Sequence, residues 1–286
     1  FIGRYMAAMN IGGMVTQLVF NLWVMPSVTD HLPWVYTVVG IAYFVTFMLM
    51  CVFVKEGKYP PAERPENEGL PLWLRIYNWV ALYFRQCYRH PFFIFLFLGT
   101  ALNNASTTCR QVFNLLFATR ELGMDAAQYG KVMAVGAFVS MGVIMLTGWI
   151  MDKIHPLRVF LASGVIVILA NIWGYYFVFD YHSFFTVGIA IIAVYAIQNV
   201  SNGPVFVALF PPEKYGQFCS ANAMLNSALL IFANYLGGIA IDLFGYRFIF
   251  VWDTLFTIAA TVSLIYVYIK WKQYGGAEHY VAPPTD

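Results

Sequence analysis

The sequence predicts an all-α, polytopic membrane protein, and three observations carry that prediction. Of its 286 residues, 60% are hydrophobic and 10% charged, with a mean hydropathy of +0.67, a balance that a soluble domain cannot bury. Apolar segments recur that are each, at about 20 residues, long enough as helices to cross ~30 Å of hydrocarbon. Polar and proline-rich residues gather between those segments.

In chain order, residues 4–26 and 33–54 form two spans, and six more follow at 92–118, 127–151, 157–178, 184–210, 218–241 and 248–269. Residues 55–91 link the two groups. The link opens with Lys55, Glu56, Lys58, Pro60, Pro61, Glu63, Arg64, Pro65, Glu66 and Glu68. It then turns amphipathic: Trp73, Ile76, Tyr77, Val80, Tyr83 and Phe84 recur at helical spacing, with Arg75, Asn78, Arg85 and Arg89 mostly on another face. Such a helix suits the membrane surface. The closing GGAEHYVAPPTD reads as a short disordered tail. FIGRYMAAMN has neither an initiator Met nor the layout of a signal peptide, so the start at Phe1 is expected to be a fragment boundary or a trimmed end.

Several function classes are excluded. A net charge of +2, with basic residues scattered among apolar segments, gives nucleic acid nothing to bind. Cys51, Cys87, Cys109 and Cys219 lack metal-ligand spacing, and the five histidines are dispersed, so no metal or other cofactor is expected. There is no P-loop and no GxSxG element. The chain does not read as an enzyme.

Charge orients the array. With the link inside, 12 of the 16 basic residues lie on the inner side, leaving Arg110, Arg120, Lys131 and Arg247 in spans or outside. The positive-inside rule therefore puts both termini in the cytoplasm of a plasma or inner membrane. Trp34, Trp73, Trp79 and Trp271 fall near the expected interfaces as anchors, and Trp149 suits the same role.

Offsetting the chain by 213 residues aligns Gly3 with Gly216, Tyr5 with Phe218, Ala8 with Ala221 and Asn21 with Asn234. GRYMAAMN and GQFCSANA then open equivalent spans. Either membrane helices share a small alphabet, or the first two spans repeat the last two, as in two-domain transporters. Gly12, Gly13, Gln17 and Asn21 in the first span, with Ser220, Asn222, Asn226, Asn234, Gly237 and Gly238 in the seventh, suit a closely packed seam.

The third span carries the densest polar set. Asn103, Thr107, Arg110, Gln111 and Asn114 follow one another at mostly helical spacing along one side, widened by Asn104, Ser106 and Thr108. An arginine in hydrocarbon is costly, so Arg110 must snorkel, face an aqueous cavity or find a charge partner. Asp253, a few residues into the last span, is a possible buried charge that either Arg110 or Arg247 can neutralise. In the sixth span, Asn199 and Asn202 share a face beside Gly203 and Pro204. Their amides suit either a hydroxylated, sugar-like solute or hydrogen bonds between helices. The fourth span closes in GWIMDKIHPLR, placing Gly148, Asp152, Lys153 and Arg158 around a tight inner turn, and FPPEKYGQF joins the sixth span to the seventh.

On GRYMAAMN, the long link, GWIMDKIHPLR and FPPEKYGQF, the chain resembles the major facilitator superfamily, and within it is similar to the sucrose and glycoside-cation symporters. The resemblance implies eight of twelve transmembrane helices. Residues 1–54 are then the last two helices of the N-terminal half, 55–91 a cytoplasmic linker, 92–272 the C-terminal six-helix half and 273–286 a cytoplasmic tail. It also implies cavity helices at 92–118 and 184–210, and a gating role for Asp152 with Gly148, Lys153 and Arg158. The expected partners are the bilayer, a small polar solute, a proton or sodium ion, and the N-terminal helices that precede Phe1 in the parent. Secondary active transport of a sugar or glycoside by alternating access is the expected function. A membrane solute sensor and a non-transporting assembly subunit are the alternatives.

Overall fold

The computed structural model describes residues 2–53 and 70–285; the proline-rich opening of the link lies outside them. Among the described residues, eight helices are long and apolar enough to span a membrane, within about five residues of the expected bounds. The helices are α1 Ile2–Val19, α2 Val28–Phe53, α3 Leu72–Tyr88, α4 Pro91–Leu116, α5 Ala126–Lys153, α6 Pro156–Phe177, α7 Tyr181–Leu209, α8 Tyr215–Phe244, α9 Phe248–Gln273 and the short α10 Gly276–His279.

Local sequence sets the helix starts. His90-Pro91 and His155-Pro156 open α4 and α6 in the same way: proline sits at the first helical position, where its missing N–H costs nothing. The preceding histidine Nδ1 accepts from the backbone of Phe92 (3.2 Å) or Leu157 (3.3 Å). Asp125 with Gln128 and Asp180 with Ser183 form capping boxes on α5 and α7. Both α1 and α4 finish in a π-helical turn, Phe20–Val24 and Phe117–Glu121, a local widening that often marks functional segments.

In the bundle, α4 packs on α8 and α9, α6 on α7 and α9, and α5 on α7, while α1 runs antiparallel along α5. Glycines allow the close approaches. A Cβ on Gly130 would lie 2.7 Å from the Asn21 carbonyl oxygen, and one on Gly136 2.5 Å from Ile192. By contrast, α2 leaves the bundle after the Met25–Ser27 turn, and no residue from Pro33 to Phe53 is buried. α3 forms as the amphipathic pattern predicts. Its Tyr88 hydroxyl donates to the Ala221 carbonyl (2.6 Å) and its Tyr83 hydroxyl lies 2.7 Å from Ser220 Oγ, while Trp73 and Tyr77 remain exposed.

Two expectations are corrected. The tail is not unstructured: positive-φ Gly275 and Gly276 turn the chain into α10, and the Tyr280 hydroxyl donates to the Leu209 carbonyl (2.9 Å) as its ring packs near Phe92. Burying that ring offsets the cost of ordering the short segment. Trp271 is not an interfacial anchor. It is wholly buried, with the His155 ring 4.4 Å away on one side and Tyr268 stacked on it. Trp34, Trp73, Trp79 and Trp149 are exposed.

Candidate binding cavity

A cavity of about 570 Å³ opens between α1, α4, α5, α7 and α9, toward the π-helical ends of α1 and α4. Its polar lining comes from Gln17 and Asn21 on the α1 side, Arg110, Gln111 and Asn114 on α4, Tyr129 on α5, and Tyr195 and Asn199 on α7. The remaining wall is mostly apolar, with Met14, Met25, Met133, Phe184, Ile191 and Phe250 among its members.

Among the described residues Arg110 is the only formally charged side chain in that wall, and it is 5% exposed. It does not snorkel. Its Nη1 donates to Asn171 Oδ1 (3.0 Å) and lies 3.6 Å from Asp253 Oδ2, and its guanidinium covers the Phe250 ring at 4.1 Å. Asp253 is wholly buried behind it. Asn171 donates to Asp253 Oδ2 (2.8 Å), Thr257 to Oδ1 (3.2 Å), and the hydroxyls of Tyr195 and Ser106 donate to the same carboxylate. A buried carboxylate is tolerable only when paired and hydrogen-bonded, and five side chains from α4, α6, α7 and α9 meet that need. Arg247, the alternative partner, instead pairs with Glu121 (3.3 Å) and donates to the Tyr175 and Val178 carbonyls.

The other predicted residues divide. Arg110, Gln111, Asn114 and Asn199 line the cavity. Asn103, Thr107 and Asn202 do not; Thr107 donates to the carbonyl of Asn103 within its own helix (3.0 Å), and the buried Asn202 Oδ1 has no hydrogen-bond partner. Neighbouring Asn104 serves packing, its amide donating to Asn226 Oδ1 (3.0 Å) as Thr100 does to Asn222 Oδ1 (2.9 Å). Those contacts tie α4 to α8.

The opposite end is shut. Asp152, at the end of α5, accepts from Arg4 Nε at the start of α1 (2.8 Å). Between that pair and the cavity, Ala7, Ile144, Met151, Ala196 and Val200 form an apolar cluster across α1, α5 and α7, with Ile11 and Met14 against it. Gly148 is buried beside this seam. Lys153 and Arg158 turn elsewhere, Lys153 over the Trp149 ring (3.6 Å) and Arg158 toward Trp271 (5.7 Å). The structure thus brings Asp152 to α1 but does not gather the four residues into one contact.

Asn171, Tyr195 and Thr257 escaped the sequence reading. Two had a readable signal: Tyr195 is one helical turn before Asn199, and Thr257 one turn after Asp253, so each shares a face with a singled-out residue. Asn171 had only its polarity within an apolar span. Its partners lie 61 and 82 residues away.

A bundle of long apolar helices around a polar-headed cavity, closed at one end, defines a membrane protein of the secondary-transporter class. The chain belongs to the Major Facilitator Superfamily, whose family model matches residues 1–201 and again residues 96–279. Members of that superfamily are transporters and not enzymes, and this chain shares their class. Comparison with curated proteins gives no match.

Proposed function

We propose that the protein moves a small polar solute by alternating access, with residues 1–54 belonging to one half and 92–272 forming the other. The observation that carries this reading is the cavity itself. It lies where α1 meets α5 and α7, and among the described residues it is closed at one end by apolar side chains and the Arg4–Asp152 ion pair. Such contacts can separate without unfolding either helix.

In this reading Arg110, Gln111, Asn114 and Asn199 meet the solute, while Asn103, Thr107 and Asn202 support the helices behind. Asp152 acts as a gate through Arg4, and Gly148 permits the close seam. Lys153 and Arg158 supply the positive charge that holds this end in the cytoplasm, on a plasma or inner membrane. The amide-rich faces admit a hydroxylated solute such as a sugar or glycoside, although the rest of the wall is mostly apolar, and a proton or sodium ion is the coupling cation in this reading. Asp253, the wholly buried carboxylate, is the group on which such a cation would act.

The test is uptake by the purified protein in sealed vesicles, using radiolabelled sugars, glycosides and organic acids under an imposed proton or sodium gradient. Accumulation above the outside concentration, abolished by collapsing the gradient, is expected. Mere equilibration at the rate of protein-free vesicles for every solute class would overturn the reading.

A further inference from the structure

The chemistry of the cavity wall is narrower than "polar". Among the described residues its one formal charge is positive, and no Asp or Glu lines it. The counter-charge, Asp253, sits behind the wall, its Oδ2 3.6 Å from Arg110 Nη1. Arg110 Nε is buried and has no hydrogen-bond partner. One turn further along α4, the buried Asn114 Oδ1 also lacks one. Buried donors and acceptors are normally paired, and a guanidinium packed over Phe250 has little freedom to find a substitute. Arg110 and Asn114 both line the cavity, so a ligand seated against them can take up these atoms with a small shift of the two side chains.

We infer that the solute is an amphipathic monocarboxylate, its carboxylate taken by the open side of Arg110 and its apolar body by Met133, Phe184 and Ile191. The inference rests on the transport reading, because it names the solute of that same cavity. A planar carboxylate offers two acceptors that match the guanidinium fork. A free sugar spreads donors and acceptors over every face, and this wall would leave most of them against apolar groups. A cation would meet the positive charge with no carboxylate in the wall to balance it. Asp253 offsets part of the Arg110 charge, so the site repels a dianion more strongly than a monoanion. One negative charge and an apolar body fit all of these constraints.

The experiment is ligand-induced thermal stabilisation of the purified full-length protein. Phenylacetate, 3-phenylpropionate and hexanoate are each compared with their own amides, alongside phenyl phosphate and phenyl β-D-glucopyranoside. At least one carboxylate should bind about tenfold or more tighter than its amide, the scale of a charge-assisted hydrogen bond, and phenyl phosphate should gain no such advantage. Because Arg110→Gln alone leaves Asp253 unpaired and can unfold the protein, the deciding variant is Arg110→Gln combined with Asp253→Asn. That variant removes both charges, and the carboxylate preference should vanish while the protein stays folded. Equal effects of acids and amides on the unaltered protein, including no effect of either, overturn the inference, as does a preference that survives in the double variant. Binding of the glucoside alone would refute the monocarboxylate and leave the transport reading standing. The transport reading falls separately if no solute class is accumulated.

Discussion

Arg110→Ala removes the formal counter-charge of a carboxylate that has no access to solvent. At 3.6 Å and an effective dielectric near 20, the two charges attract by about 5 kcal/mol, from which desolvation of both ions subtracts a large part. Ser106, Asn171, Tyr195 and Thr257 still donate to Asp253 after the change. The expected cost therefore sits at the lower end of the range for breaking a buried pair, about 3 kcal/mol. Asp253→Asn leaves the arginine without its counter-charge but still donating to Asn171, and should cost about 2 kcal/mol. Applied together, the two changes remove both charges and should cost about 3 kcal/mol, well below the sum of the single effects, a coupling of about 2 kcal/mol. Reversible unfolding in mixed micelles, run as a double-mutant cycle, measures this. Additivity within about 0.5 kcal/mol would show that the two residues do not act as a pair.

Three further changes probe other parts of the molecule. Arg4→Ala should alter unfolding free energy by less than about 1 kcal/mol, because the arginine is largely exposed, yet should widen the α1–α5 separation at that end; spin-label distances check both halves of the statement. His155 lies outside the spans, where burial, helped by Arg158, lowers its pKa from 6.5 to about 4. Its neutral form is the one the fold accommodates, so stability is full above pH 6.5 and falls as pH drops toward 4. His155→Gln should remove about 1 kcal/mol of the difference between unfolding at pH 7 and pH 5, after allowance for solvent screening. Gly174→Ala places a Cβ on the Phe250 ring that carries Arg110, so it should destabilise by about 1–3 kcal/mol and lower the thermal midpoint; an unchanged midpoint would contradict that packing.

The membrane helices were legible because each span is a continuous apolar run whose length is set by the bilayer, a local property of the chain. α3 was legible for a similar reason, its apolar residues repeating at helical spacing. Arg110 and Asp253 were visible as costly charges, but their pairing was not, because it depends on the rotation of two helices whose residues lie 143 positions apart in sequence (253 − 110). Asn171, which bridges them, is invisible to periodicity altogether. Trp271 and Tyr280 misled the reading for the opposite reason. Composition placed Trp271 near the membrane surface and Tyr280 in a disordered tail, while contacts with His155, Tyr268 and Phe92 bury Trp271 and dock Tyr280.

The claim that α1 and α5 open and close alternately at their two ends is tested most directly by two distances measured on the same protein in vesicles. One label pair replaces Tyr5 and Ile150, exposed near the Arg4–Asp152 end; the other replaces Trp23 and Lys131, exposed near the cavity end. The account predicts two populations in each distance distribution, with Asp152→Asn lengthening the first distance and shortening the second. A single unchanged population at both ends, or lengthening at both together, would contradict it.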